Sequence, residues 1–182
     1  MYRITRDTPA LYLTSVARDR LPVFRTDQIK TVTCSALDEA RHSGGFLIFE
    51  YVIMPDHMHL ITCGTRRIAD TLRFVNGISG HRIISHLKEQ GHQSSLDKLK
   101  RQSGAKGHTY SLWDHHPNAL QLMGEDFFMQ KVNYIHQNPV RAGLIERAED
   151  YRWSSARWWS RRPLGDEPLR VDIDQIQWRS RK

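Results

Sequence analysis

Two histidines separated by a single residue offer the first chemistry in the sequence. His57 and His59 lie in the segment PDHMHL, residues 55–60. Successive side chains of a β-strand point to opposite faces, so both imidazoles should project from one face, with Met58 and Leu60 on the other. Two neighbouring imidazoles are half of a metal site. Taken alone, the pair also fits two histidines with purely structural roles.

A tyrosine and an asparagine one helical turn apart form a second element. Tyr134 and Asn138 fall on one face of a helix predicted over Glu125–Asn138. Pro139 should end this helix, because proline disfavours helical geometry in the residue before it. A phenol has an unperturbed pKa of about 10, so it needs a nearby cation or base to act as a nucleophile at neutral pH. A surface tyrosine and an asparagine that caps the helix would give the same pattern.

Together, the two elements could surround a divalent cation with two imidazoles and one amide oxygen, beside a phenol. Such a cation would polarise a phosphodiester for attack by the phenolate. Gln137 is an alternative to Asn138 as the third ligand, because Pro139 makes the local geometry hard to predict. We expect His136 to point away from the site and to be structural. Asp56 is expected to be a turn residue rather than a ligand.

Apolar spacing predicts alternating strands and helices around these segments. The expected elements are strands at Ala10–Val16, Phe46–Ile53 and His57–Cys63, helices at Thr26–His42, Ile68–Gln90 and Glu125–Asn138, and a partly extended run at Tyr110–Leu122. The order β-α-β-β-α-β followed by a helix predicts a ferredoxin-like α+β fold, one antiparallel sheet with helices packed on one face. Gly77 and Gly80 weaken the middle of the long helix, and residues 91–107 are expected to form a mobile polar loop.

Composition and length restrict the class of protein. The chain has 182 residues, 39% hydrophobic and 26% charged, which is typical of one globular domain. The longest apolar stretch, Phe46–Met54, is interrupted by Glu50 and too short to span a membrane, and the N-terminus has no apolar signal segment. Cys34 and Cys63 are too few for a disulfide scaffold and fit buried thiols in a reducing cytoplasm.

The net charge of +7 is concentrated in one part of the chain. Residues 66–108 carry nine basic and three acidic side chains. This pattern is typical of a protein that binds a phosphate backbone, although a solvated helix face followed by a loop would also produce it. The predicted DNA contacts are basic residues of this segment together with one arginine from a later aromatic-rich run: Arg66, Arg67, Arg73, Arg82, Lys98, Lys100, Arg101, Lys106 and Arg152.

The end of the chain carries two further predictions. Between residues 151 and 162, aromatic residues interleave with arginines, which would suit stacking on nucleic-acid bases, although Trp153 fits a packing role better. After Pro163 we find little core-forming pattern. We therefore predict one domain over residues 1–162, followed by a basic C-terminal tail over residues 163–182.

Three blocks of sequence together resemble a known family. They are YVIMPDHMHL at residues 51–60, YIHQNPVRAGL at residues 134–144 and YRWSS at residues 151–155. In order and spacing they are similar to three motifs of the single-tyrosine HUH transposases, and specifically of the REP-associated tyrosine transposases. The resemblance covers roughly residues 8–160.

The resemblance implies an HUH-type ferredoxin-like fold and a metal-dependent endonuclease and strand transferase for single-stranded DNA. His57 and His59 match the two HUH histidines, Tyr134 matches the nucleophile, and Asn138 matches the polar third ligand. Attack by Tyr134 would give a 5′-phosphotyrosine bond and a free 3′-hydroxyl, and a second 3′-hydroxyl could reverse the step. The usual cation of the family is Mg²⁺ or Mn²⁺, whereas two imidazoles alone would suit Mn²⁺ or Zn²⁺ better.

The resemblance also implies a partner and a location. The partner would be single-stranded DNA with hairpin or palindromic elements, bound in the cytoplasm in association with the nucleoid, by a monomer or a homodimer. Two other functions stay open. One is a catalytically idle regulator that binds palindromes on the same scaffold, and the other is a metal-dependent phosphodiesterase that uses water. A covalent protein–DNA adduct separates the transposase from both.

Overall fold

The structure of the protein is a computed structural model. It contains one four-stranded antiparallel sheet. The structure describes residues 1–100, 109–114 and 117–179. The strands lie in the order β2-β3-β1-β4, which is the ferredoxin-like order. Their bounds are Ala10–Val16 for β1, Ile48–Ile53 for β2, His57–Cys63 for β3 and Asn118–Leu122 for β4. The predicted α+β fold class is confirmed.

Five α-helices accompany the sheet in the described residues. They are α1 (Asp27–Gly44), α2 (Ile68–Glu89), α3 (Gln93–Leu99), α4 (Glu125–Arg141) and α5 (Ala156–Trp159). The side chain of Thr26 accepts a hydrogen bond from the Ile29 amide and so caps the start of α1. Gly45, in the left-handed region at φ 61°, ends it. None of the described helices is long and apolar enough to cross a membrane.

Helices α1 and α2 pack together on one face of the sheet. In the β1–β3 pairing, Ser15 lies opposite Met58, and Thr14 lies opposite His59. The Ser15 hydroxyl donates to Asn76 Oδ1 on α2 at 2.6 Å, so α2 lies on the Met58 face. The histidine face is therefore turned away from α1 and α2.

Helix α4 lies across the opposite face, the one from which His59 projects. Val52 on β2 pairs with His59, and Glu50, two residues earlier, points the same way. Glu50 contacts His136 of α4 at 3.0 Å. We predicted that the helices pack on one face of the sheet. This holds for α1 and α2, whereas α4 lies on the other face, beside the histidines.

The outer edge of β2 is covered by the C-terminal part of the chain. Asp172 donates its amide to the Ile48 carbonyl at 2.7 Å, and its carboxylate accepts from the Ile48 amide at 3.0 Å. Further along β2, the Ile53 amide donates to the Trp153 carbonyl at 2.9 Å. These bonds satisfy backbone groups that an exposed edge strand would leave open.

The expectation that residues after Pro163 lack a core-forming pattern is wrong. Four apolar side chains of this segment are buried in the main core: Leu169, Val171, Ile173 and Ile176. Alternating apolar and polar residues over 169–173 are the signal of an extended segment with one buried face. Residues 163–182 carry four basic and four acidic side chains, so the segment is not basic either. The division of the chain at residue 162 stays a prediction.

Two further segments differ from their predictions. Residues 93–99, expected to belong to a mobile loop, form α3, because Leu96 and Leu99 both find buried positions. The tryptophans of the aromatic-rich run are bonded within the fold. Trp153 Nε1 donates to Asp27 at 3.1 Å, and Trp159 Nε1 donates to the Phe49 carbonyl at 3.0 Å. The packing role expected for Trp153 is confirmed.

Candidate active site

His57 and His59 project side by side from β3, as the alternation of the strand predicts. Their ring centroids are 4.9 Å apart, and the ring planes meet at 74°. His59 is 5% exposed, and the side chain of His57 is 18% exposed. His57 is therefore the more accessible of the two imidazoles.

Both imidazoles are oriented by partners at Nδ1. His57 Nδ1 donates to Asp56 Oδ1 at 2.6 Å. His59 Nδ1 lies 2.8 Å from Thr14 Oγ1 and 2.9 Å from the Tyr12 hydroxyl. With Nδ1 engaged, Nε2 is the atom each ring would offer to a ligand. Metal-binding histidines are commonly oriented in this way.

Asp56 lies in the expected turn and also contacts His57 through its carboxylate. Its carboxylate lies between His57 and Arg20, whose Nη1 donates to it at 3.0 Å. Partial burial opposes ionisation, but the hydrogen bonds and charges of His57 and Arg20 outweigh it and lower the pKa of Asp56. An ionised Asp56 accepts from His57 Nδ1 and so fixes the orientation of the His57 ring. The adjacency of Asp56 and His57 was the only signal in the sequence for this role.

The buried imidazole of His59 is held neutral. Burial and, after it, electrostatic interactions with His57 and Lys131 lower the pKa of His59 to about 3. A neutral imidazole keeps a lone pair on one nitrogen over most of the pH range. His59 is therefore suited to act as a ligand rather than as a proton donor.

Two tyrosines border His59, and they differ in access. The Tyr134 ring centroid lies 5.8 Å from that of His59, and the Tyr12 centroid lies 5.5 Å from it. Tyr12 is 6% exposed, and burial raises its pKa, whereas Tyr134 is 38% exposed. Tyr134 is thus the phenol that a large substrate can reach.

Two cations flank the Tyr134 ring, and sequence reasoning missed both. Lys131 Nζ lies 5.4 Å from the ring centroid, and the Arg141 guanidinium carbon lies 5.5 Å from it. Lys131 precedes Tyr134 by three residues and Arg141 follows it by seven, which is helical spacing on one face. Either cation could pair with a phosphate that approaches the phenol.

Asn138 joins the tyrosine helix to the histidine pair. Its side-chain nitrogen donates to the Tyr134 carbonyl at 2.8 Å, and its side chain also interacts with the His59 imidazole. Gln137 instead lines a cavity with Ala148 and Trp159 on another side of α4. The geometry therefore favours Asn138 over Gln137 as the residue that faces the site.

The prediction that Pro139 ends the helix is wrong. Helix α4 continues to Arg141, and its last turns are closed by bonds such as that from the Ala142 amide to the Asn138 carbonyl at 3.0 Å. Proline removes the amide that would bond to the Ile135 carbonyl. Asn138 Nδ2 lies 3.5 Å from that carbonyl and compensates in part, so the helix tolerates the proline.

The donor set of the site is two imidazoles and an amide. Over the described ranges, no three His, Cys, Asp or Glu side chains are grouped so that they could hold a metal ion. A cation here would therefore rely on His57, His59 and the Asn138 oxygen, with water or substrate oxygens completing its shell. Two oriented imidazoles, one of them kept neutral by burial, fit a divalent ion such as Mn²⁺.

A buried ion pair holds α4 against the sheet. Glu50 is fully buried, and its carboxylate accepts from His136 Nε2 at 3.0 Å and from the Ser155 hydroxyl at 2.6 Å. Burial opposes protonation of His136, but the charge and hydrogen bond of Glu50 outweigh it and raise the pKa of His136. His136 thus points away from the candidate site and has a structural role, as expected.

Most predicted DNA contacts lie away from the histidines. Arg66, Arg67, Arg73 and Arg82 belong to α2 or the turn before it, and α2 packs on the opposite face. Arg82 forms a two-bond ion pair with Glu39, and Arg152 pairs with Asp166 at 2.8 Å. Lys98 and Lys100 lie at the end of α3, and Arg101 and Lys106 fall outside the described residues. The structure does not bring this set together with the candidate site.

Comparison with known proteins supports the fold. No protein-family model and no curated protein matches the chain. A solved structure of a REP-associated tyrosine transposase bound to a REP hairpin is similar, with a TM-score of 0.63 and 19% identity over 95% of this chain and 90% of that one. The chain has the fold of that transposase. A candidate transposase from Deinococcus radiodurans matches with a TM-score of 0.49 and 19% identity, over 71% of this chain and 90% of its own.

Stability should depend on pH through His59. Its pKa is about 3 in the folded protein and near 6.5 when exposed, so between these values the unfolded chain binds the extra proton. The free energy of unfolding should therefore fall as the pH is lowered from about 6.5 towards 3, by close to 1.4 kcal/mol per pH unit from this group. Urea unfolding with a chelator present, at several pH values, measures the slope.

A glutamine variant isolates the contribution of His59. His59→Gln should lose this part of the slope, whereas His42→Gln, at a side chain that is 71% exposed, should keep the wild-type slope. Equal slopes for the wild type and His59→Gln would contradict a neutral, buried His59.

The Glu50–His136 pair should behave as a buried ion pair. His136→Leu leaves the Glu50 carboxylate buried without its partner and should lower the free energy of unfolding by about 3–5 kcal/mol. Replacing both residues by leucine should recover most of this loss, because no charge is then buried. Chemical denaturation of the single and double variants measures both effects.

An exposed ion pair in the same structure provides the control. Asp174→Ala removes the partner of Arg161, in a pair whose side chains are 66% and 67% exposed, and should cost less than about 1 kcal/mol. The buried-pair prediction is contradicted if the variant with leucine at both Glu50 and His136 is as unstable as His136→Leu.

Proposed function

We propose that this protein is a REP-associated-type tyrosine transposase, a metal-dependent endonuclease and strand transferase that acts on hairpin-associated single-stranded DNA. The observation that carries the proposal is that Tyr134 and Asn138 of α4 both lie next to the His59 imidazole of β3. The Asn138 side chain interacts with His59, and the His59 ring lies edge-on to Tyr134 with ring centroids 5.8 Å apart. Residues far apart in the sequence thus lie together, which supports the proposal.

Tyr134 is the proposed nucleophile. Its oxygen attacks the phosphorus of a phosphodiester, so that a bond forms between the two and the bond from phosphorus to the 3′-oxygen breaks. The products are a 5′-phosphotyrosine and a DNA 3′-hydroxyl, which takes up a proton. Because one phosphodiester is exchanged for another, a second 3′-hydroxyl can attack the phosphotyrosine and join strands.

His57, His59 and Asn138 are the proposed ligands of a divalent cation, Mg²⁺ or Mn²⁺. The cation would supply Lewis-acid polarisation of the phosphate and would favour the ionised phenol. Asp56 fixes His57, while Thr14 and Tyr12 fix His59, so both Nε2 atoms are held in place before a ligand arrives. Lys131 and Arg141 beside the Tyr134 ring would bind the phosphate backbone next to the scissile bond.

Hairpin DNA is the proposed partner. The similar solved transposase is bound to a REP hairpin, and this chain carries a net charge of +7. The exposed arginines of α2, with Lys98 and Lys100, would contact phosphates remote from the scissile bond. Such contacts position the DNA and make affinity strongly dependent on salt.

An adduct assay tests the nucleophile. Single-stranded hairpins from the DNA that flanks the gene, labelled at either end, are incubated with Mn²⁺ or Mg²⁺ and resolved on a denaturing gel. The wild type should form a covalent adduct that carries only the 3′-side fragment. Tyr134→Phe should form none, because it lacks the attacking oxygen.

A second tyrosine gives a matched control. The Tyr51 hydroxyl is buried and has no hydrogen-bond partner within the described structure, and Tyr51 faces away from the histidines. Tyr51→Phe should therefore fold normally and keep wild-type adduct formation. Cleavage without an adduct, unchanged in Tyr134→Phe, would mean that water is the nucleophile. Tight binding of the flanking hairpins with neither product would point to the idle regulator.

A further inference from the structure

A cleft on the α2 side of the molecule has no role in the chemistry described above. It has a volume of about 390 Å³ and lies between α2 and the segment 109–113. The α2 wall carries Gly77, Gly80, His81 and Lys88, and the facing wall carries Tyr110 and Trp113. Among the described residues that line it, none is acidic.

The glycines of this cleft are not explained by the fold. A Cβ atom on Gly77 would meet nothing within 4 Å, and one on Gly80 would lie 3.5 Å from the Trp113 ring, an ordinary contact. Neither glycine has a positive φ. Glycine inside a helix is less stable than alanine, so α2 loses stability by keeping these two positions bare. Gly77 leaves an open floor beside walls that carry aromatic and basic groups, whereas Gly80 lies against the Trp113 ring.

The facing wall is rigid. The Trp113 indole stacks on Phe24 with centroids 5.4 Å apart, and its Nε1 donates to the Asn76 carbonyl at 3.1 Å and to Ser79 Oγ at 3.2 Å. Lys88 Nζ lies 5.0 Å from the Tyr110 ring centroid, which places a cation and an aromatic face together at the rim. The cleft therefore keeps its shape and does not depend on a ligand to form.

The cleft adjoins the end of the sheet from which His57 projects. The Ala17 amide donates to the Asp56 carbonyl at 2.8 Å, and Ala17 forms a bridge with Trp113. The Arg18 amide donates to the Leu112 carbonyl at 2.8 Å. One short stretch of backbone thus connects the residue before His57 to the wall of the cleft.

We propose that this cleft is a binding subsite for an unpaired nucleotide of the DNA strand. The base enters over Gly77 and stacks against the aromatic wall, and Lys88 pairs with the adjoining phosphate. An aromatic face beside a cation, with no carboxylate among the described lining residues, suits a nucleotide better than a peptide or a metal ion. The inference rests on the proposed function only in taking single-stranded DNA as the substrate.

Filling the cleft tests the inference. Gly77→Leu places a side chain in the open floor, and it should fold with an unchanged or higher Tm because leucine favours the helix. Fluorescence anisotropy with a labelled single strand of mixed sequence should show a Kd raised about tenfold, within the range that one stacked base contributes. Gly165→Leu is the control, since this glycine is equally open and lies outside the cleft.

A charge variant provides an independent readout. Lys88→Gln should weaken binding and reduce the slope of log Kd against log salt by about 0.7, the value for one phosphate contact on a single strand. Lys88→Arg should restore both. A blunt duplex of the same length should bind the wild type and Gly77→Leu equally, because it offers no unpaired base.

Different results would contradict the nucleotide subsite and the proposed transposase function. Equal single-strand affinities for the wild type, Gly77→Leu and Gly165→Leu would overturn the subsite, whether or not an adduct forms. Weakened binding by Gly77→Leu in a protein that forms no adduct at saturating DNA would support the subsite and reject the nicking chemistry. Equal weakening of single-strand and duplex binding would also overturn the subsite, because the cleft would then not distinguish unpaired bases.

Discussion

The buried pair between Glu50 and His136 is the interaction on which the candidate site depends. A carboxylate with no exposure is costly unless its charge is matched, and here one imidazole and the Ser155 hydroxyl match it. His136 lies midway between Tyr134 and Asn138 on α4. The pair therefore ties the helix segment that carries both residues to the sheet that carries His57 and His59. The cost of breaking it keeps the two halves of the site in register.

Much of the fold could be predicted from the sequence. The bounds of β1 and β3 match the predicted runs, because strands buried on both faces or alternating between faces leave a clear apolar pattern. Helix α1 likewise shows its cap and its terminal glycine. The burial of the C-terminal segment was not predicted. Its few apolar residues pack beside the outer edge of β2, and the sequence alone does not show which strand edge is open. Helix α4 passed through Pro139 because Asn138 supplies a local hydrogen bond that spacing alone does not reveal.

The central residues of the candidate site could be predicted from the sequence. The residues that orient them could not. His57, His59, Tyr134 and Asn138 were found from alternation, helical spacing and the resemblance, and the structure brings them together. Thr14 and Tyr12, which orient His59, come from β1 and are recognisable only through strand register. The predicted basic contacts lie largely on the far side of the sheet, because charge counts along a chain do not say which face a helix presents.

A single chain brings Tyr134 beside its own His59, so the candidate site needs no residue from a second copy. The most direct test co-expresses Tyr134→Phe with a His57→Ala, His59→Ala variant, each carrying a tag of different size, and assays adduct formation on a labelled flanking hairpin beside the wild type. We expect the wild type to form the adduct and the mixed chains to form none, because neither chain has both halves of the site. An adduct on the histidine-deficient chain would contradict the claim, since its tyrosine would then be using the histidines of another subunit.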